Sequence, residues 1–339
     1  MEPAPDILAA ARQIACQLSI STATHPIILP PETLTSIAKT PPAEFEHALA
    51  TLIEMSRACL DQTPREAWGL ARVAHELANT RVTPHTQAET GLVLASALNR
   101  LGEFRAALPL CHQTVERSVQ CQDAEGTAHA LCEAAWAYTF IGDLTQALAT
   151  IERARVATSS PLIPARCDWI QARVLRDQSH YSEAIALFEK VREVFQANQL
   201  PLEALRCERE LAHTRVLGES EEAMDLLERL QETFRNGGCA LDAALCDCFL
   251  AVGLGGASRY LEALNRLLPA RRTFADLESG FFAAWCDSWS GVLYRHLNRF
   301  DESLRASHQA RDYFLARGIS MEVSACAINL GNTYSDQSL

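Results

Sequence analysis

An excess of basic residues is missing from this chain: 30 lysines and arginines stand against 42 aspartates and glutamates, a formal net charge of −12. Neutralising nucleic-acid phosphates requires the opposite balance, so a sequence-blind DNA or RNA binder is excluded. Also missing is an apolar run approaching the eighteen or so residues of a membrane span. Aromatics are only 7% of the chain, and alternating apolar–polar stretches are scarce, which argues against a sheet. The 48% of apolar residues exceeds what a disordered chain carries. What is plentiful is cysteine. Twelve of them follow the start MEPAPDILAAARQ, which has no secretory leader. They are expected to be reduced thiols in a cytoplasmic protein.

Apolar residues recur at three and four positions, as in Leu144, Ala147, Leu148, Ile151 and in Met224, Leu227, Leu230, Phe234. That period predicts an all-α chain. The chain also repeats itself. The segments LGEFRAAL, IGDLTQAL, QSHYSEAI, LGESEEAM, ASRYLEAL and LNRFDESL place a small anchor residue at Ala107, Ala147, Ala184, Ala223, Ala263 and Ser303, separated by 40, 37, 39, 40 and 40 residues. Counting back 40 from Ala107 reaches Ala67 in PREAWGLA. A fixed period in this range marks a solenoid, in which each unit buries its apolar side only against its neighbours.

Two more columns keep the register. Cys167, Cys207, Cys246, Cys286 and Cys326 are 40, 39, 40 and 40 apart, and Phe195, Phe234, Phe274 and Phe314 are 39, 40 and 40 apart. Gly102, Gly142, Ser179, Gly218, Ser258 and Asn298 each precede an anchor by five. They suit the tight, left-handed backbone that ends a first helix. The anchors then let the second helix approach the first closely.

These residues resemble the tetratricopeptide repeats. AINLGNTYSDQS is similar to that family's first helix, and LGEFRAAL and IGDLTQAL to its turn and second helix. The resemblance covers roughly residues 43–339 and implies a right-handed α-solenoid of stacked antiparallel helix pairs, about seven units with the last incomplete. The family's usual unit is 34 residues, so longer helices and longer links such as TSSPLIP and RNGGCAL are expected. Units of this length are similar to arrays in large bacterial proteins, ahead of a caspase-like CHAT protease domain or behind the ATPase of LuxR-type regulators.

The two ends differ. Met321–Tyr334 reads as a first helix without its partner, which points to a gene fragment. Residues 1–42 form a separate cap or linker: Asp6–Ser19 is an amphipathic helix with Ile7, Leu8, Ala11, Ile14 and Leu18 on one side, followed by a stretch containing Pro26, Pro30, Pro31, Pro41 and Pro42.

Catalytic and metal chemistry find little support. Cys239, Cys246 and Cys248 lack the Cys-x-x-Cys pairs of zinc sites, and Cys246 belongs to the ladder. They read as buried packing thiols. GLGGAS from Gly253 follows a helical pattern rather than a strand and is not a phosphate loop; Gly253, Gly255 and Gly256 mark a weakened helix, a hinge or a close backbone approach. A Cys–His protease dyad has no α/β scaffold here, and His129, His180, His213 and His296 fall on repeat helices. No enzyme activity, cofactor or metal is expected.

What remains is a binding surface. The resemblance places contact positions on the concave side of the first helices. These are Arg166, Trp169, Arg173 and Arg176 in one unit, Arg206, Arg209 and His213 in the next, and Trp285, Arg295 and His296 further on. Spacings of 3 and 4 put each set on one helix face. Guanidinium groups pair bidentately with carboxylates, and tryptophan adds apolar area, so an acidic, partly aromatic peptide or protein segment is the expected partner. Asp168, Asp177, Glu208 and Glu210 lie close enough to neutralise the arginines as ordinary surface pairs. The expected function is a non-catalytic protein–protein interaction scaffold. The alternative is the sensing arm of a larger protease or regulator, with its catalytic part beyond Leu339.

Overall fold

The structure, a computed structural model, describes residues 41–339 apart from Val82, Ser159, Glu219 and Leu339. The amphipathic segment Asp6–Ser19 lies outside the described residues. Those described are all-α, with no strand among them. Seven helix pairs follow one another: α1 (Pro42–Cys59) with α2 (Pro64–Arg81), α3 (Pro84–Leu101) with α4 (Phe104–Gln120), α5 (Ala124–Ile141) with α6 (Leu144–Ala157), α7 (Leu162–Asp177) with α8 (Tyr181–Ala197), α9 (Pro201–Leu217) with α10 (Glu221–Asn236), α11 (Ala240–Gly256) with α12 (Tyr260–Asp276), and α13 (Gly280–His296) with α14 (Phe300–Ala316). A fifteenth helix, α15 (Ser320–Gln337), closes the series.

The forty-residue period has a simple origin. Helices α12 and α13 are each 17 residues long, and each is followed by three linking residues. The 37-residue step follows from α6, which has only 14 residues. The links are therefore short throughout, including at RNGGCAL, where only Gly237–Cys239 lie between helices. The extra length over a 34-residue unit resides in the helices.

Short links work because the chain reverses in the left-handed region. Gly102 (φ 79°), Gly142 (φ 85°), Ser179 (φ 65°), Ser258 (φ 60°) and Asn298 (φ 58°) adopt it as expected. The residue after each then donates its N–H five positions back, as His180 does to the Leu175 carbonyl at 2.8 Å and Arg299 to Tyr294 at 2.9 Å. This satisfies carbonyls that a helix end leaves open. Gly218 departs, with φ −90°; its turn closes one residue later, through Ser220 N–H to Arg215 at 3.1 Å. The same reversal links one pair to the next, at Gln122, Gln199 and Glu278.

Each column has a packing role. The anchors Ala67, Ala107, Ala147, Ala184, Ala223, Ala263 and Ser303 are all buried, and the Ser303 hydroxyl donates to the Gly291 carbonyl at 2.7 Å across its own pair. Cys207 and Cys167 face the preceding second helix, their Sγ atoms 3.1 Å from the Phe188 carbonyl and 3.7 Å from that of Ile151, while Cys286 and Cys326 meet the preceding first helix at Cys248 Sγ, 3.5 Å, and Ser288 Oγ, 3.4 Å. Phe195, Phe234, Phe274 and Phe314 are buried in the last turn of each second helix, and their carbonyls accept the reversal bond of the next link. Overfilling an anchor is testable: Ala184→Leu is expected to cost about 1–3 kcal/mol, read by urea denaturation. Helix α11 runs unbroken through Gly253 and Gly255. A Cβ at Gly253 would stand 2.8 Å from Val216 Cγ1 and one at Gly255 3.2 Å from Leu293 Cδ2. These glycines serve close approach, so the weakened helix is corrected here.

The chain divides into two compact units, one ending at Glu133 and the other running from Ala134. In the first, Phe45, Leu49, Leu52, Leu77 and Leu101 form the centre of the core, and Asn99 Nδ2 donates to Glu133 Oε2 at 2.7 Å. In the second, first helices touch one another as well as their partners, α9 against α11 and α13 against α15. Burial is not confined to neighbours there. Phe140, at the end of α5, meets Phe281 and Phe282 of α13 edge-to-face at 5.5 and 6.1 Å, and Gly142 abuts the Met321 side chain. These rings also meet aromatic neighbours within their own pairs, Phe140 with Trp136 at 5.2 Å and Phe281 with Phe314 at 5.5 Å.

Candidate functional site

The sequence-predicted residues of α7 and α9 converge on one ion-pair network. Arg173 and Arg176 both donate to Glu210 Oε2, at 2.8 and 2.6 Å, and Arg176 Nε reaches Asp177 at 3.2 Å. Arg206 grips Asp242 through Nε and Nη2 at 3.0 and 2.7 Å. Arg209 pairs with Asp242 as well and with Glu210 Oε1 at 2.9 Å. Helical spacing sets these contacts. Arg173 and Arg176, and likewise Arg206 and Arg209, are three apart and share a face, and their acceptors lie 33 to 37 residues downstream, about one unit less one turn. Asn99 reaches Glu133 over 34 residues in the first unit by the same geometry.

The four arginine residues are only 4 to 7% exposed. Burial alone would raise the Glu210 carboxyl, but Arg173, Arg176 and Arg209 overcome it and hold the group well below the usual carboxylate range. Arg173 is brought down to about 10, by burial first and then by Arg176, against the pull of Glu210. Its guanidinium also lies over the rings of Trp136 and Phe140, 4.7 and 4.5 Å from their centres. Such contacts stabilise a desolvated cation by up to about 2 kcal/mol. Trp169 stands edge-on to Trp136 at 5.8 Å.

His213 stacks on Phe249, ring centres 3.7 Å apart, with Arg176 Nη1 3.3 Å from Nδ1. Burial, then Arg176, drives its pKa well below the ordinary 6.5, so it stays neutral. Such a group takes up its proton more readily unfolded than folded, and stability falls as pH drops below 6.5. His75, buried beside Thr90 and brought down to about 4 by burial and Arg117, behaves alike. Between pH 7 and pH 5 each is expected to remove about 2 kcal/mol of stability. Comparing the pH dependence of unfolding in the wild type and in His213→Gln isolates one share.

The remaining predicted residues lie elsewhere. Arg166 is half-buried at the start of α7. Trp285 packs against Trp289 at 5.7 Å. Arg295 Nη1 donates to Asp336 at 2.7 Å, and the exposed His296 stacks on Tyr260 at 4.7 Å. No contact joins this α13 set to the arginine network of α7 and α9 through any of these pairings.

Neutralisation by ordinary surface pairs is corrected by the burial of the network. Asp168 is engaged with Arg155 and Lys190, at 2.6 and 2.7 Å. Asp242 escaped the sequence reading, although its place 36 residues after Arg206 is within one of the 37 that separate Glu210 from Arg173. The ladder thiols are buried too, and burial pushes Cys207 and Cys246 up to about 12, so neither is a nucleophile at neutral pH. No helix among the described residues is long and apolar enough to cross a membrane.

No protein-family model matches the sequence, and no curated protein matches it. Solved structures do resemble the fold. A Rap protein complexed with competence and sporulation factor superposes with a TM-score of 0.61 at 12% identity, over 83% of this chain and 80% of that one. Aspartyl phosphate phosphatase F from Bacillus subtilis gives 0.49 at 10% identity, over 98% and 95%. A putative kinesin light chain from Podosopora anserina with TPR-like repeats gives 0.38 at 22%, over 56% and 95%. The chain has the fold of a TPR-like helical solenoid.

Proposed function

We propose that this chain is a non-catalytic scaffold that binds a protein or peptide segment along the first helices of its second unit, and that the segment is acidic and partly aromatic. The observation that carries the reading is the concentration of cations and aromatic rings on α7, α9 and α13 in a protein of net charge −12. Arg166, Trp285, Arg295 and His296 form the more accessible part of this lining; Arg173, Arg176, Arg206, Arg209 and His213 form its buried floor. A ligand carboxylate meets guanidinium geometry suited to bidentate pairing, and Trp169 and Trp285 supply apolar area. In the Rap protein of similar fold, the complex is with competence and sporulation factor.

Binding of fluorescein-labelled twelve-residue peptides, one rich in Asp, Glu and Trp and one with Lys in place of the acids, tests this by anisotropy. The acidic peptide is expected to bind, more weakly as salt rises, and to lose affinity in Arg166→Glu/Trp285→Ala. Equal binding of both peptides contradicts the reading. The likeness to arrays of CHAT proteases and LuxR-type regulators adds a second proposal, the sensing arm of a larger protein. A gene continuing into an α/β segment with a His and a Cys supports it, and a stop codon after Leu339 opposes it.

A further inference from the structure

Helix α15 is covered on one side. Cys326, Leu330 and Thr333 are buried against the preceding pair, where Cys326 meets Ser288 of α13 and Thr333 Oγ1 lies 2.9 Å from Ser303 Oγ of α14. The rest of the helix is in water. Ile328 is 64% exposed, Tyr334 53% and Met321 42%, which gathers three large exposed apolar side chains on one helix.

The repeat register gives this face a meaning. Forty residues earlier, Gly291 of α13 is buried, and a Cβ there would stand 2.3 Å from Ser307 Oγ of α14. A Cβ at Gly331 would meet nothing within 4 Å. Gly331 thus keeps the shape that lets another helix approach closely, and no helix among the described residues fills it.

Charge and shape select the occupant. Every exposed residue of α15 is uncharged, in a chain of net charge −12. Its acids, Glu322 and Asp336, are half-buried, and Asp336 is held by Arg295 at 2.7 Å. A charged partner finds nothing to pair with on such a face, whereas a second copy of this acidic chain meets no like charge there. Ser324, Ile328, Gly331 and Ser335 are exposed at steps of four, three and four. The buried Ser303, Ser307, Ala310 and Phe314 of α14 follow the same steps. This series reads alike in both directions along the helix. Two antiparallel α15 helices related by a two-fold axis therefore set Ile328 of each copy over Gly331 of the other, and Ser324 beside Ser335, a side chain into a gap on both sides.

We propose that the outer face of α15 binds α15 of a second copy, antiparallel, making the chain a two-fold symmetric dimer. The contact uses none of the residues assigned to peptide binding. It is one helix wide, so the dimer is weak and depends on concentration.

Sedimentation velocity of the full chain from about 1 to 200 µM, the span in which small interfaces fill, reads the mass. The wild type is expected to move from monomer toward dimer across it. It should do so more readily at high salt, which screens the repulsion between two chains of −12. Gly331→Leu fills the gap and is expected to weaken association by about tenfold or more, as overpacking does. Ile328→Asp places carboxylates in the contact and is expected to leave only monomer. Residue 331 faces open space and residue 328 is exposed, so both variants are expected to fold, with far-UV circular dichroism matching the wild type. Hydrogen exchange compared at low and high concentration should slow in 321–335. A chain that is monomeric throughout, or a dimer that survives both substitutions, overturns the proposal. If the chain stays monomeric and instead takes up a synthetic peptide of residues 300–316, the face belongs to a second helix of the repeat, which equally overturns it.

Discussion

Glu210→Gln is expected to destabilise the second unit by about 3–5 kcal/mol, the range for breaking a buried ion pair from one side. The carboxylate is 1% exposed and is shared by Arg173, Arg176 and Arg209. Glutamine keeps the shape and one acceptor oxygen but leaves these cations facing only Asp177 and Asp242. The exposed pair Arg215–Glu189, 2.7 Å apart, is the control; Glu189→Gln should cost no more than about 1 kcal/mol. Hydrogen exchange in α7, α9 and α11 reads the difference locally, without assuming one global transition for a chain of two units. Acid gives the same answer by another route. The Glu210 pKa is depressed in the fold, so its contribution is present above the ordinary value of 4.5 and is lost as pH falls from there toward the folded value. In Glu210→Gln that part of the acid dependence is expected to vanish.

Phe274→Ala is expected to cost about 3–5 kcal/mol, the range for emptying a core aromatic site. Phe274 is fully buried in the last turn of α12 and packs against Phe282 at 5.3 Å. Its carbonyl also anchors the link to α13 through Ser279 N–H at 2.8 Å, so the cavity opens where two pairs meet. Neighbours in a repeat array share their interfaces, and loosening should spread first to α11–α14. Leu261, 61% exposed on α12, provides the contrast: Leu261→Ala should fall within about 0.5 kcal/mol of the wild type. Urea denaturation of the two variants side by side measures both, and equal costs would show that the phenylalanine column has no packing role.

The fold was legible because its determinants are local and periodic. Anchor, turn and phenylalanine columns each report a contact within one pair or between successive pairs, and a contact of that kind recurs in the sequence at the unit length. Gly218 shows the limit: α9 has the 17 residues of α11 and α13 but α10 has only 16, so the anchor Ala223 comes one residue early and the position five before it is not the reversal, which the glycine alone does not reveal. The candidate site was half legible. Helical spacing placed Arg173 with Arg176 and Arg206 with Arg209, but a face has no sign of exposure in a sequence, so arginines that read as a surface lane are in fact buried. Their partners, Glu210 and Asp242, depend on how far one first helix slides past the next, and that offset of about one turn is a packing property. The Phe140–Phe281 contact was illegible for a different reason. It joins pairs four units apart and has no period to announce it.

Where a ligand meets the chain decides the account most directly. A twelve-residue acidic peptide carrying a photoreactive benzophenone is irradiated with the full chain, and adducts are mapped by mass spectrometry, beside a lysine-substituted peptide of the same length. Adducts confined to the odd-numbered helices α7, α9 and α13, and found only with the acidic peptide, are the predicted result. Adducts on the outer helices α8, α10 or α14, or the same adducts with both peptides, would contradict it.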